Sequence, residues 1–232
     1  MLTRAFAAVL LALASPALAE TVRKPARTVE RDGVSVAFPE VLYTSPDASG
    51  DPVAVVCARA ASAALGVPVD PTRDLMAETV HRVVLDDPRD ATHVLKLYRP
   101  DTYAAERIAR MIQRDLGVQG LLEARGLRIA ALDETPALVG RGVLRQPRVA
   151  GRGLDKVYPQ GYRIGTDPAI DRMLAVVAEI DAPLRGIVSS QTRLVFSNTV
   201  DCHTDRLLGV DLGHCYGNIF LDTTNQPIFV DW

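Results

Sequence analysis

The sequence predicts a mixed fold of β-hairpins and amphipathic α-helices. Two pairs of short apolar runs, one within residues 79–98 and one within 219–230, are each separated by turn-forming residues and indicate two β-hairpins. Apolar residues at helical spacing within residues 103–117 indicate an amphipathic helix. Hydrophobic residues make up 48% of the 232-residue chain, so it can bury a core as one domain or as two small lobes around a cleft.

The charges are nearly balanced, with 26 basic and 28 acidic residues. This balance argues against a nucleic-acid partner, and the chain has no basic run that would indicate binding to a membrane surface. The basic residues are mostly arginine, so each of the few lysines is a candidate for a specific role. They are Lys24, Lys96 and Lys156.

Residues 1–19 have the pattern of a secretory signal peptide. Arg4 precedes an apolar run of about ten residues and then the triplet Ala17-Leu18-Ala19, which predicts cleavage after Ala19. The run is too short to span a bilayer as a helix, and no other segment is long and apolar enough to do so. We therefore expect an exported protein, periplasmic or secreted, without a stable membrane span. A buried N-terminal helix is the alternative.

Export permits disulfides, and the chain has three cysteines, Cys57, Cys202 and Cys215. The odd count leaves at least one free thiol, and Cys202 and Cys215 are the pair closest in sequence. A zinc site is the alternative for this pair, since His203 and His214 lie directly beside the two cysteines. Adjacent ligands do not match the usual spacing of zinc sites.

Residues 20–71 predict an N-terminal arm followed by a short helix. Residues 20–50 are rich in charged and turn-forming residues, and only the alternating run 34–38 indicates an edge strand, so we expect a loose arm. Small apolar residues dominate from Val53 to Leu65 and predict a helix that ends at Gly66.

The hairpin within residues 79–98 carries a lysine at the centre of its second strand. Alternation places Lys96 and Tyr98 on one face of this strand, and Leu95 and Leu97 on the other. An ammonium group among apolar neighbours is costly unless it meets an anion, which makes Lys96 a candidate anion-binding residue. A lysine on an exposed strand face is the alternative.

The helix that follows begins after Pro100, with Asp101 or Thr102 as its cap. Residues 127–132 and 136–144 predict two further strands, which makes about five strands and one main helix in this part of the chain. Glycines and prolines without a clear period favour a hinge at 146–165. We expect a helix at 169–180 and a new segment at 183–188.

The last 22 residues predict a hairpin with candidate metal ligands at its open end. Residues 219–221 and 228–230 read as strands around a turn at 222–227. Asn218 enters the first strand and Asp231 leaves the second, so strand pairing brings a carboxamide oxygen close to a carboxylate. Two such oxygen ligands suit Mg²⁺, which fills its other positions with phosphate and water. An ordinary hairpin with polar ends is the alternative.

The segment from Gly217-Asn218 to Asp231-Trp232 resembles the catalytic-loop asparagine and the metal-binding aspartate of the protein-kinase-like fold, especially its aminoglycoside-phosphotransferase-like and small bacterial kinase branches. The interval between the asparagine and the aspartate is the family's usual one. Lys96 resembles the strand lysine that holds the α- and β-phosphates of ATP in this family. The glycine-rich loop that should precede this lysine is missing, since residues 74–79 contain no glycine.

The resemblance implies an α+β, two-lobed protein-kinase-like fold with a five-stranded N-lobe at 72–147 and a truncated C-lobe at 148–232. It implies ATP and Mg²⁺ as cofactors, with Asn218 and Asp231 as the metal ligands and Lys96 as the phosphate ligand. Glu106 is implied as the helix carboxylate that orients Lys96, because it is placed as the family's glutamate is. Asp115 is the rival carboxylate, and a solvated Glu106 remains an alternative.

The catalytic base is displaced from the family's usual position, which Gly213 occupies here. Asp211, the nearest carboxylate, is predicted to accept the proton of the acceptor hydroxyl. The triplet His203-Thr204-Asp205 resembles the family's His-x-Asp triplet, so Asp205 in an enlarged loop is the alternative base.

Three functions stay open at this point. The first is a secreted minimal kinase that moves the ATP γ-phosphate to a hydroxyl of a protein or a small molecule, as an effector acting inside another cell, since ATP is scarce outside the cytoplasm. The second is an exported pseudokinase that binds a nucleotide or a partner without phosphotransfer. The third is an unrelated exported binding module. All three functions are consistent with the missing glycines, with the displaced base and with the expected lack of C-lobe helices after Trp232.

Overall fold

The computed structural model describes residues 19–47, 50–159, 162–188, 206–207, 210–211 and 219–230. Within these ranges the protein is an α+β structure of small antiparallel sheets and helices. The helices are α1 (Val53–Leu65), α2 (Pro71–Asp74), α3 (Ala105–Ala124), α4 (Pro136–Val139), α5 (Leu154–Val157) and α6 (Pro168–Ile187). The strands are β1 (Thr21–Lys24), β2 (Arg27–Arg31), β3 (Val34–Phe38), β4 (Val41–Thr44), β5 (Leu75–Glu78), β6 (Arg82–Asp86), β7 (His93–Tyr98), β8 (Val143–Pro147), β9 (Gly151–Gly153), β10 (Arg206–Leu207), β11 (Val210–Asp211), β12 (Ile219–Asp222) and β13 (Pro227–Phe229).

The main sheet has the antiparallel strand order β5-β6-β7-β8, which places β7 in its interior. Leu95 and Leu97 of β7 belong to a core that this sheet shares with α1. Tyr98 of β7 and Leu144 of β8 belong to a second core on the other face, to which α3 also contributes. The predicted hairpin and the predicted division of β7 into two faces are therefore confirmed.

The N-terminal segment contains more structure than the loose arm that its sequence predicts. Strand β2 pairs with β3, and β1 pairs with β4. Alternate residues of β3, namely Val34, Val36 and Phe38, are buried against the second core. Strand β2 is charged and largely exposed, apart from the half-buried Val29, which packs against the second core, so its sequence shows no clear strand pattern.

Helix α1 and its end at Gly66 match the prediction, and Gly66 adopts the left-handed conformation with φ of 70°. Helix α3 begins and ends elsewhere than predicted. Its N-cap is Ala104, which makes no side-chain capping bond, and the helix continues beyond Gly117 to Ala124. Gly117 serves close packing, since a Cβ atom there would lie 2.6 Å from Cδ1 of Phe38.

The two strands predicted between residues 127 and 144 are largely absent from the described chain. Residues 127–132 contribute a single bridge, between Ile129 and Phe229, and the chain turns through α4 at Pro136, a favourable first residue of a helix. Strand β8 starts only at Val143, so the main sheet has four strands where the sequence predicted about five.

Helix α6 is longer than the predicted 169–180 and continues through Pro183. The carboxylate of Asp167 caps its first turn and accepts from the amide of Ala169 at 2.8 Å. Ile180 and Leu184 are fully buried on either side of the proline, so tertiary packing outweighs the helix-breaking tendency of Pro183. No helix within the described ranges is both long enough and apolar enough to cross a bilayer.

The second core joins segments from the whole described chain. It is built from the N-terminal strands, α3, α6, the main sheet and the C-terminal hairpin. Its largest fully buried side chains, exposed by less than 2%, include Ile112 of α3, Ile180 of α6 and Phe229 of β13. The position of the C-terminal hairpin is thus set by burial against both long helices.

Candidate functional site

The C-terminal hairpin forms as predicted. Strand β12 pairs with β13, and Ile219 lies opposite Phe229 in the register. Asp222 stabilises the turn, because its Oδ1 accepts from the amides of Thr224 at 2.8 Å and Gln226 at 3.0 Å. Asn225 completes the turn in the left-handed conformation, with φ of 59°.

The hairpin is held by backbone bonds on both of its edges. Strand β9 pairs with β12 on one side. On the other side the amide of Phe229 donates to the carbonyl of Arg128 at 3.0 Å, and the amide of Ala130 donates to the carbonyl of Phe229 at 2.7 Å. The guanidinium of Arg128 also pairs with Asp222 at 2.7 Å. These contacts give the end of β13 a defined position.

Lys96 reaches the end of this hairpin from the main sheet. Its neighbours across the sheet are Val84 and Leu144, and Lys96 itself is 9% exposed. Its Nζ donates to the carbonyl oxygen of Val230 at 3.3 Å. A buried ammonium group requires polar or charged partners, since it has lost most of its hydration. Val230 directly precedes Asp231 in the sequence.

The predicted Mg²⁺ ligands, Asn218 and Asp231, directly flank the described hairpin and lie outside the described residues. Asp205, the alternative base, also lies outside them. The backbone of Asp211 belongs to β11, which pairs with β10, and the structure does not describe the Asp211 side chain. Among the described residues, no group of three or more histidines, cysteines, aspartates or glutamates is arranged to hold a metal ion.

Glu106 forms an ion pair with Lys24 of β1. Its carboxylate is 48% exposed, and within the described residues it makes no contact with Lys96. The link therefore joins the start of α3 to the N-terminal strands. The orientation of Lys96 by Glu106, which the family resemblance implies, stays a prediction.

A buried cluster around Asp115 lies on the same face of the main sheet as Lys96. The Tyr98 hydroxyl donates to Oδ2 of Asp115 at 2.5 Å. Arg82 donates to the same oxygen at 2.9 Å, and Arg114 donates to Oδ1 at 2.6 Å. Burial, together with the negative charge of Asp115, raises the pKa of Tyr98 to about 12, although the guanidinium of Arg82 opposes this.

The sequence interpretation missed this cluster, although a signal for it exists. Asp115 stands seven residues after Ile108 and three after Ile112, which is the spacing of one buried helix face. A carboxylate on such a face requires charged or hydrogen-bonding partners. The partners, Arg82 and Tyr98, are opposite each other in the register of β6 and β7.

The turn between β5 and β6 occupies the place of the missing glycine-rich loop. Oγ1 of Thr79 accepts from the amides of His81 at 3.3 Å and Arg82 at 2.9 Å. The amide of Thr79 donates to the carbonyl of Arg82 at 2.8 Å. These three backbone N–H groups are bonded within the turn, which limits the backbone donors that a phosphate could use here.

Cys57 is a buried free thiol in α1, and burial raises its pKa to about 12. It is therefore unreactive at neutral pH. The other two cysteines and both histidines of the alternative zinc site lie outside the described residues.

A scan against models of known protein families found no match, and a search among curated proteins found no significant similarity.

Proposed function

We propose that this protein is an exported kinase-like phosphotransferase that binds ATP with Mg²⁺ and moves the γ-phosphate to a hydroxyl of a protein or a small molecule. The observation that carries the proposal is the hydrogen bond from Lys96 to the Val230 carbonyl. It brings the one buried lysine of the main sheet to the residue that precedes Asp231. A kinase-like site needs its strand lysine and its metal-binding aspartate at one place.

Each residue of the site has a distinct role in this proposal. Lys96 binds the phosphates adjacent to the transferred group, and Asn218 and Asp231 hold Mg²⁺. The metal ion, when bound, neutralises charge on the phosphates. Asp211 accepts the proton of the acceptor hydroxyl. The fit of Lys96 to an anionic ligand is supported by its burial and by its position at the end of the hairpin.

Asp115, the rival helix carboxylate, lies on the face of the main sheet that carries Lys96. It is bonded to Tyr98, which stands two residues from Lys96 on the same face of β7, a separation of about 7 Å along a strand. Glu106, in contrast, is engaged by Lys24 at the start of α3.

A second candidate function is nucleotide binding without phosphotransfer, as in a pseudokinase. The closed turn at Thr79 favours it, because a cradle of backbone amides normally helps to position the γ-phosphate. The engagement of Glu106 by Lys24 favours it as well. An exported binding module without a nucleotide is the third candidate.

Thermal melting of the mature chain separates these functions. With Mg²⁺ and ATP at a hundred times the dissociation constant, we expect a stabilisation of about 2.7 kcal/mol over the protein with Mg²⁺ alone. Absence of any shift would exclude both the kinase and the pseudokinase. A shift without transfer of labelled γ-phosphate to the protein itself, to added proteins, to small hydroxyl compounds or to water would identify the pseudokinase.

Export is the part of the proposal that depends on residues 1–19. Strand β1 begins at Thr21, directly after the predicted cleavage site, and the amide of Glu20 donates to Oγ of Ser45 at 3.0 Å. A mature chain that starts near Glu20 would keep this first strand whole. Sequencing the N-terminus of exported protein tests this, and a retained Met1 would remove the argument for export.

A further inference from the structure

A glycine-rich loop binds phosphate through its backbone amides. In the turn between β5 and β6, side chains would have to bind the phosphate instead. Its amides at Thr79, His81 and Arg82 are bonded within the turn. A Cβ-bearing residue, Val80, stands at its tip and is 73% exposed. Any phosphate near this turn must therefore be bound chiefly by cationic side chains.

Arginine side chains converge beside this turn from two elements. Arg82 leaves the turn as the first residue of β6, and its guanidinium lies 4.7 Å above the ring of Tyr98. Arg114 comes from α3, and its Nη2 donates to the Tyr98 hydroxyl at 3.0 Å. Arg82 is opposite Tyr98 in the register, and Val84 is opposite Lys96. Because side chains alternate along a strand, Arg82 and Lys96 share one face of the sheet.

Arg114 is oriented as a ligand-binding arginine would be. Its Nε and Nη2 both donate to Oδ1 of Asp115, at 3.0 and 2.6 Å, which holds the plane of the guanidinium. Its Nη1 donates to no atom within the described residues, although the side chain is only 11% exposed. Buried donors are normally bonded, so Nη1 is the part of the Arg114 guanidinium that a phosphate oxygen would engage.

We propose that Arg114, together with Arg82 and Lys96, forms a subsite for the polyphosphate end of a nucleotide and takes the part of the missing glycine-rich loop. The inference rests on the proposed function, because the ligand is the phosphate chain of the same nucleotide. Binding through charged side chains makes the affinity of this subsite sensitive to salt. Asp115 and Tyr98 position the guanidinium groups and need not touch the ligand.

Calorimetric titration of the mature chain tests the subsite with three probes, namely inorganic tripolyphosphate, ATP and adenosine. We expect Arg114→Gln to weaken the binding of tripolyphosphate and of ATP at least tenfold and to leave adenosine binding unchanged. Arg110→Gln is the matched control, because Arg110 is exposed one helical turn earlier on α3. Unchanged tripolyphosphate affinity in Arg114→Gln, or an equal loss in both variants, would overturn the inference.

A measurement on the unsubstituted protein covers the case in which Arg114→Gln does not fold. Phenylglyoxal modifies accessible arginines, and the modified positions are identified by mass spectrometry. We expect tripolyphosphate to slow modification of Arg114 and to leave Arg110 unaffected. Equal modification of Arg114 with and without tripolyphosphate would contradict the subsite.

The two proposals fail in distinguishable ways. If ATP and adenosine bind and the Arg114 variant binds ATP as well as the wild type does, only the subsite is wrong. If tripolyphosphate binds through Arg114, while ATP binds no more tightly than tripolyphosphate and Mg²⁺ has no effect, the anion subsite is supported and the proposed phosphotransfer is overturned.

Discussion

The ammonium group of Lys96 donates a hydrogen bond to the carbonyl oxygen of Val230, over 3.3 Å and across 134 residues of sequence. Lys96 lies in the main sheet, and Val230 directly follows β13 of the separate three-stranded sheet. The contact therefore depends on how the main sheet and the C-terminal hairpin pack around the second core. It is the point at which the proposed phosphate ligand meets the strand that leads to the proposed metal ligand.

Replacement of Lys96 tests the proposed phosphate contact. Lys96→Met keeps a side chain of similar length and removes the charge, so we expect the melting shift with Mg²⁺ and ATP to disappear. Lys96→Met also removes a buried charge and its hydrogen bond to Val230, so the melting temperature of the ligand-free variant is measured beside that of the wild type to separate lost stability from lost binding. Lys156→Met is the control, since the Lys156 side chain is 78% exposed. A normal ATP shift in Lys96→Met would refute the role of Lys96.

The catalytic base is tested by amide substitutions that keep side-chain size. Asp211→Asn should reduce phosphate transfer by about 10²- to 10⁴-fold, the usual contribution of a general base, and leave the melting shift with Mg²⁺ and ATP intact. Asp205→Asn should have a much smaller effect. The reverse result would identify Asp205 as the base in an enlarged loop. If neither variant loses activity, the base is His214 or no protein group.

Gly117 tests the packing of α3 against the N-terminal strands. In Gly117→Ala the new Cβ would lie 2.6 Å from Cδ1 of Phe38 and 3.3 Å from the Ala37 carbonyl oxygen. We expect destabilisation by about 1–3 kcal/mol, although alanine favours the helix by about 1 kcal/mol. Gly120→Ala is the matched control on the same helix, because its Cβ would meet no atom within 4 Å, and it should stabilise the protein.

Urea unfolding of both glycine variants measures this difference. Opposite signs for the change in the free energy of unfolding are expected. If Gly117→Ala stabilises the protein as much as Gly120→Ala does, Phe38 does not pack against α3 as closely as described.

The raised pKa of Tyr98 predicts that the protein loses stability in alkaline solution. Its pKa is raised from 10 to about 12 in the folded protein, so the stability that it contributes is fully present below pH 10 and is lost as the pH rises through about 12. Two pKa units correspond to about 2–3 kcal/mol. Tyr98→Phe should lack this part of the alkaline decline. The free energy of unfolding of both proteins between pH 9 and 12 checks this, and parallel curves would contradict it.

Local patterns predicted those elements whose partners are close in sequence. The β6–β7 and β12–β13 hairpins form because each pairs two apolar runs across a short turn. Gly66 ends α1 because its left-handed conformation is a property of one residue. The side chains of the predicted site residues Asp211, Asn218 and Asp231 lie outside the described residues.

Predictions failed where a distant partner decides the local structure. Gly117 and Pro183 resemble helix ends in the sequence, yet both lie inside helices. Gly117 lies inside α3 because Phe38 packs closely against it. Pro183 lies inside α6 because its neighbours Ile180 and Leu184 are buried. Strand β2 has no strand pattern, because it is held by its pairing with β3. The helix or strand propensity of a single residue contributes less free energy than such tertiary contacts.

The sequence by itself determined the two faces of β7, since alternation alone separates Lys96 from Leu95 and Leu97. It also determined that residues 219–229 form a hairpin. Only the tertiary structure decided that Lys96 contacts Val230, that Glu106 pairs with Lys24, and that Asp115 binds Arg82 and Tyr98. These contacts join residues far apart in the chain, and their geometry follows from the packing of sheets and helices around a shared core, which no local pattern encodes.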